Sequence, residues 1–139
     1  MPFTRIDTNN KAEISCNGAT PQEVFIAAAH GLFDVLAHDN KIRGDVRQEI
    51  VIQAPDLKSL FREWLAELVS RVEQMGMLYG DFEVFSIQKA GNALVLTGAV
   101  YGEPIDSVRH HLQKATLQED AALCSERGGK ATCQFQVSI

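Results

Sequence analysis

Leu60-Phe61-Arg62-Glu63-Trp64-Leu65-Ala66-Glu67-Leu68 is the stretch whose reading decides the fold. Its apolar side chains recur at spacings of three and four, which puts them on one stripe of an α-helix and the charged residues on the other. The stripe extends outward through Leu57, Val69 and Val72, so a one-sided helix is predicted from about Leu57 to Met75. Asp56 is placed to cap its start, and Gly76 suits the position just past its end. Glu67 and Arg71 make an i, i+4 pair on the face turned to water, worth only a few tenths of a kcal/mol. The chain's only tryptophan lies on the apolar stripe, where such a residue usually belongs to the core.

Upstream, Thr20-Pro21-Gln22-Glu23 reads as a capping box with proline at the first helical position. The helix that follows, roughly to Ala37, is apolar on almost every side and is expected to be buried on more than one. Ala12, Ile14 and Cys16 alternate with polar residues, the period of a half-buried strand. A second strand is expected from Val46 to Ala54. Phe82 to Gln88 and Ala93 to Tyr101 read as a hairpin around Ala90-Gly91-Asn92. Tyr101-Gly102-Glu103-Pro104-Ile105-Asp106 reads as a strand ending in a Gly/Pro turn. Lys114 to Leu123 is a weaker strand, and Lys130 to Ile139 alternates without a break. The order β-α-β-α-β-β-β-β predicts an α+β fold with two helices packed on one face of a mainly antiparallel sheet.

The chain has 139 residues, enough for one domain with one core, and residues 1–139 are read as such. Its formal charge of −5 gives no electrostatic footprint for a phosphate backbone, which speaks against direct nucleic-acid binding. No segment has the roughly 20 apolar residues of a membrane span and Met1 to Asn10 carries no apolar run, so a cytoplasmic protein is expected. Cys16, Cys124 and Cys133 fit neither a zinc site nor a CxxC pair, and each is read as a small hydrophobe in a reducing compartment. His110-His111 would diverge on a strand. His30 in the apolar helix reads as a core histidine and His38-Asp39 as helix-end chemistry. Glu119-Asp120 lacks a partner carboxylate, and Gly128-Gly129 is a hairpin turn rather than a phosphate loop.

Several of these segments, in order, resemble the archease family. Gly18, Thr20, Glu23 and Phe25 match the start of its first helix. Phe61, Trp64, Leu65 and Leu68 match its Leu-x-x-Trp-Leu-x-x-Leu helix. Gly102, Glu103, Pro104, Ile105, Asp106 and His110 match a Gly-Glu-Pro-Leu-Asp segment with a following His. Lys114-Ala115-Thr116 is similar to its Lys-Ala-x-Thr. The resemblance implies a non-enzymatic accessory protein that promotes guanylylation and turnover of an RtcB-type tRNA-splicing RNA ligase, binding it through Lys114, His110 and Asp7. It also implies a divalent metal, calcium or another, held by an Asp of a His-Thr-Ala-Asp motif, a near-terminal Asp and the chain's end. Aligned without a gap, that motif falls on Thr8, Asn9, Asn10 and Lys11, and the terminal pair on Ser138-Ile139.

Lys11 and Ser138 thus stand where two carboxylates are implied, and hard cations need such oxygens. Metal binding at Lys11, Ser138 and Ile139 is expected to be lost, and no cofactor is expected. Two readings stay open: Lys11 supplies in cis the charge of the ion, or the alignment is offset and Asp7 or Asp120 serves. The alternative functions are a metal-independent scaffold or chaperone-like module with a different protein partner, and a small enzyme with an unrecognised pocket.

Overall fold

The computed structural model describes residues 3–37, 42–106, 116–127 and 130–138, with 118–127 described by backbone alone. Nine elements run in the order β1 (Phe3–Thr8), β2 (Lys11–Gly18), α1 (Pro21–Leu36), β3 (Val46–Ala54), α2 (Leu57–Met75), β4 (Met77–Ala90), β5 (Ala93–Pro104), β6 (Thr116–Arg127) and β7 (Lys130–Ser138). The α+β class and the two helices are as expected. The strands form two antiparallel sheets, ordered β1-β2-β7-β6 and β3-β5-β4. The additional strand β1 has only Phe3 buried, which left no alternation to read.

The helices account for the two-sheet arrangement. Helix α1 packs on β1, β2 and β7 of one sheet and on β4 of the other, while α2 packs on β6 and on β3. A helix apolar nearly all round can satisfy two sheets at once, and ten residues of α1, from Val24 to Leu36, are buried. Gly31 lets α1 approach closely: a Cβ there would meet Ile14 Cγ2 at 2.6 Å. Thr20 Oγ1 accepts from the Glu23 backbone N–H at 3.3 Å. The return bond goes one residue further back than a capping box requires, with Glu23 Oε2 accepting from the Ala19 N–H at 2.8 Å.

Helix α2 buries Leu60, Phe61, Trp64, Leu65 and Leu68. Asp56 caps it by accepting from the Ser59 N–H at 2.7 Å, and Gly76 ends it at φ 64°, a left-handed conformation that favours glycine. The Trp64 indole N–H donates to the Phe25 carbonyl at 2.9 Å, joining the helices inside the core. Phe25 meets Phe61 edge-on with centroids 5.3 Å apart. Phe61 continues to Phe135 of β7, and Trp64 to Phe82 of β4, so one aromatic chain links both sheets through both helices.

Two local expectations are corrected. Gly102-Glu103-Pro104 is ladder, not turn: these residues pair with Tyr79, Leu78 and Met77. Gly102 is needed because a Cβ there would lie 1.9 Å from the Leu78 carbonyl oxygen. Glu103 is buried and accepts from the Arg43 backbone N–H. Arg71 does not face water alone; beyond Glu67 at 3.1 Å it reaches Gln48 Oε1 at 3.0 Å, which also accepts from Tyr79 O–H at 2.5 Å. That network ties α2 to β3 and β4, and burial pushes the Tyr79 phenol above its ordinary value.

Because Trp64 is fully buried and bonded across the helix pair, Trp64→Ala is expected to cost roughly 3–5 kcal/mol. Urea denaturation measures it; a loss below about 1 kcal/mol, the scale of a surface substitution, would show that the aromatic chain does not hold the sheets together.

Candidate functional site

The ladder places the residues singled out at the two chain ends. Strands β1 and β2 turn at Asn9-Asn10, with Asn9 at φ 45°, a conformation asparagine tolerates. The register then sets Thr8 opposite Lys11, Lys11 opposite Ser138, and Ser138 opposite Thr116. Lys11 and Ser138, which lie at opposite ends of the sequence, are therefore neighbours in one cross-strand row. Ile139 lies outside the described residues.

The donor chemistry of this row is an ammonium flanked by hydroxyl residues. An ammonium repels a divalent cation, and neutral hydroxyls are poor replacements for carboxylates. Among the described residues no three His, Cys, Asp or Glu side chains are grouped so as to hold a metal ion. The residues described here do not fit the metal that the resemblance implies.

Asp7 belongs to the other face of the sheet. It pairs in register with Ala12, whose side chain is fully buried. Its carboxylate is gripped by Arg5, Nε to Oδ1 at 2.8 Å and the second nitrogen to Oδ2 at 3.1 Å. The same guanidinium donates to the Asp34 carboxylate and to the Asp34 carbonyl, each at 3.0 Å. Asp7 thus clamps β1 to α1 through Arg5, whose pKa is raised chiefly by that hydrogen bond. Arg5 and Asp34 were not legible as a site, because nothing in the sequence says that positions 29 apart meet.

His110, His111, Lys114, His38, Asp39 and the Gly128-Gly129 turn lie outside the described residues. Glu119 and Asp120 fall where the β6–β7 ladder skips from Gln118 to Leu123. Cys133 is disulfide-bonded, which corrects its reading as a free hydrophobe. It stands in register between Cys16 and Cys124, and directly opposed residues of an antiparallel pair are close enough to be bridged. Cys16 is buried and free, and burial pushes its thiol up to about 12, so it stays protonated and inert. The outer face of this sheet carries a shallow groove of about 380 Å³, lined by Thr4, Ser15, Cys16, Asn17, Thr132, Cys133 and Gln134, with no carboxylate, imidazole or cationic side chain among them. Asp56 is held below the usual carboxylate range by the Ser59 N–H it caps, so its low pKa is helix chemistry. No helix among the described residues is long and apolar enough to cross a membrane.

His30 is half-buried and meets Phe82 edge-on, centroids 5.0 Å apart at 88°. Burial lowers its pKa below 6.5, and the charge of Asp81 opposes that shift. The folded chain therefore prefers the neutral ring. Its contribution to stability is complete above the unfolded pKa and is lost as pH falls through the folded value. The stability difference between wild type and His30→Gln is expected to shrink from about pH 7.5 to about pH 5, with the unfolded ring near 6.5. Urea midpoints at both pH values test this, and a constant difference would place His30 in water.

The family model described as the archease protein family (MTH1598/TM1083) matches residues 3–136. The "Protein archease" of Methanopyrus kandleri is 34% identical over 110 residues, covering 79% of this chain and 78% of that protein. That of Pyrococcus furiosus is 39% identical over 93 residues, covering 67% and 65%. The solution structure of Methanobacterium thermoautotrophicum protein 1598 superposes with a TM-score of 0.83 at 22% identity, over 99% of each chain. A crystal structure titled as an archease, possible chaperone, from Thermotoga maritima gives 0.53 at 13% identity, over 98% of this chain and 94% of that one.

Proposed function

This chain belongs to the archease family, and we propose that it is an accessory protein that promotes guanylylation and turnover of an RtcB-type tRNA-splicing ligase in the cytoplasm. The observation that carries this reading is the family match over residues 3–136, which spans both helices and both sheets. The charge supports it: a net −5 suits docking on a basic RNA enzyme better than holding RNA. The chain works through contact rather than catalysis. Lys11, Ser138 and the chain's end, together with Lys114, His110 and Asp7, are the proposed partner-facing positions. Asp7, on the other face of the sheet, would act indirectly, by way of the Arg5 clamp that fixes the β1 edge.

The proposed activity needs no divalent metal of this protein's own. Lys11 sits in register beside Ser138 and supplies there a fixed positive charge that an ion would otherwise bring. A reversed sign at this position is consistent with contact to a carboxylate or phosphate on the partner side.

Multiple-turnover RNA joining by the cognate ligase is expected to rise by at least about tenfold when this protein is added, a gain of about 1.4 kcal/mol. No acceleration and no co-elution would overturn the ligase reading and leave a chaperone-like module with another partner. Calcium is expected to leave the melting temperature of the wild-type protein unchanged, because an ion that does not bind cannot shift folding by mass action. Lys11→Asp with Ser138→Asp is expected to create a calcium-dependent rise. A calcium-dependent rise in the wild type would overturn the metal-free reading.

A further inference from the structure

The sheet β3-β5-β4 has one face against the helices and one turned away from them. Ile50 and Ile52 of β3 are buried at 1% and 8% exposure, whereas Val51 between them is 68% exposed. Val51 is in register with Thr97 of β5, and Thr97 with Ser86 of β4, whose hydroxyls bond across the ladder at 2.8 Å. Immediately before Ser86 the ladder slips: Val84 pairs with Gly98, Ser86 with Thr97, and Phe85 is the extra residue. A bulge of this kind breaks the in-out alternation and re-aims a side chain. Phe85 is left 53% exposed beside the Val51 row. Two of the four large apolar side chains most exposed among the described residues therefore fall on one sheet face.

On one side of this row the sheet is acidic, while the row on the other side, Gln53–Val95–Gln88, is uncharged. Glu49 of β3 and Glu83 of β4 flank the buried Ala99, and Asp81 follows in the next row, against Arg47 alone as a cation. Arg47 is drawn to Glu49 at 3.4 Å, and Tyr101 O–H donates to Glu83, so the charged rim is held in place on the sheet. Two exposed apolar side chains across the Thr97–Ser86 hydroxyl pair, with acidic rows on one side, repel a nucleic acid, an anionic membrane and, where the acidic rows meet in a two-fold contact, a second copy of the chain.

We propose that the outer face of β3-β5-β4 docks a basic protein surface with one apolar anchor, Val51 and Phe85 receiving the anchor and Glu49, Glu83 and Asp81 receiving its Lys or Arg neighbours. This rests on the reading of the chain as a ligase accessory and names the contact by its chemistry. It is a second surface, on the opposite sheet from the Lys11–Ser138 row.

Two measurements separate the proposal from the reading it rests on. In the first, binding to the purified ligase is expected to weaken at least about tenfold for Val51→Ser with Phe85→Ser, and for Glu49→Lys, but not for Glu73→Lys on α2. Undiminished binding by the face variants overturns the proposal. In the second, the folded protein is titrated by NMR with a blocked Arg-Leu-Phe-Arg peptide and with its Glu-Leu-Phe-Glu counterpart. Salt-sensitive amide shifts confined to β3, β4 and β5, seen with the basic peptide and lost in the double variant, support it. Equal or absent shifts overturn it, as does a Phe85-dependent dimer in sedimentation, which assigns the face to a second copy. Both variants change exposed residues and should melt near wild type; Glu49→Lys decides if the double variant does not fold. If wild type and ligase fail to associate, the accessory reading falls and the peptide titration alone decides this one.

Discussion

The hydrogen bond from the Trp64 indole to the Phe25 carbonyl is the constraint on which the rest of this structure depends. An indole N–H buried without an acceptor would cost about 1–3 kcal/mol, a large share of what burying its ring returns. Satisfying it fixes how α2 lies on α1. Once that pair is set, Phe61 points toward Phe135 of one sheet and Trp64 toward Phe82 of the other. Two sheets that share no ladder among the described residues are thereby held by a common aromatic interior.

Placing the helices between two sheets leaves each sheet an outer face. The face of β1-β2-β7-β6 is uncharged and polar over its groove, with Lys11 and Ser138 at one end. The face of β3-β5-β4 is apolar at Val51 and Phe85 and acidic on one side of them. The inner faces serve packing, including the Arg5 bridge from Asp7 to Asp34 and the Gln48–Arg71–Tyr79 network. Satisfied polar networks of this kind rigidify the elements they join. Both outer faces thus sit on rigid strands, a suitable platform for recognition by contact.

The candidate site was partly legible. Lys11 and Ser138 could be singled out as odd residues because a family pattern supplied the comparison, but their adjacency is a property of the β2–β7 ladder. Asp7 was singled out as an alternative metal carboxylate and as a partner-facing position, whereas in the fold it is held by Arg5, whose reach across to α1 no local spacing records. Glu103 looked like part of a turn; burial made it the acceptor for the Arg43 N–H. Phe85 gave no signal at all, since a bulge arises from how two strands slip against each other.

By itself the sequence determined the local elements. Period-3.6 and period-2 patterns with Thr20, Asp56 and Gly76 as stops located both helices, and β3 and β7, to within a residue or two, because caps and alternation act over a few neighbouring positions. Only the tertiary structure decided that the strands divide into two sheets, that Cys133 is bridged while Cys16 stays a buried thiol, and which side chains were left facing water. Those outcomes depend on contacts between residues far apart in the chain, and such pairings are chosen by packing the whole interior at once.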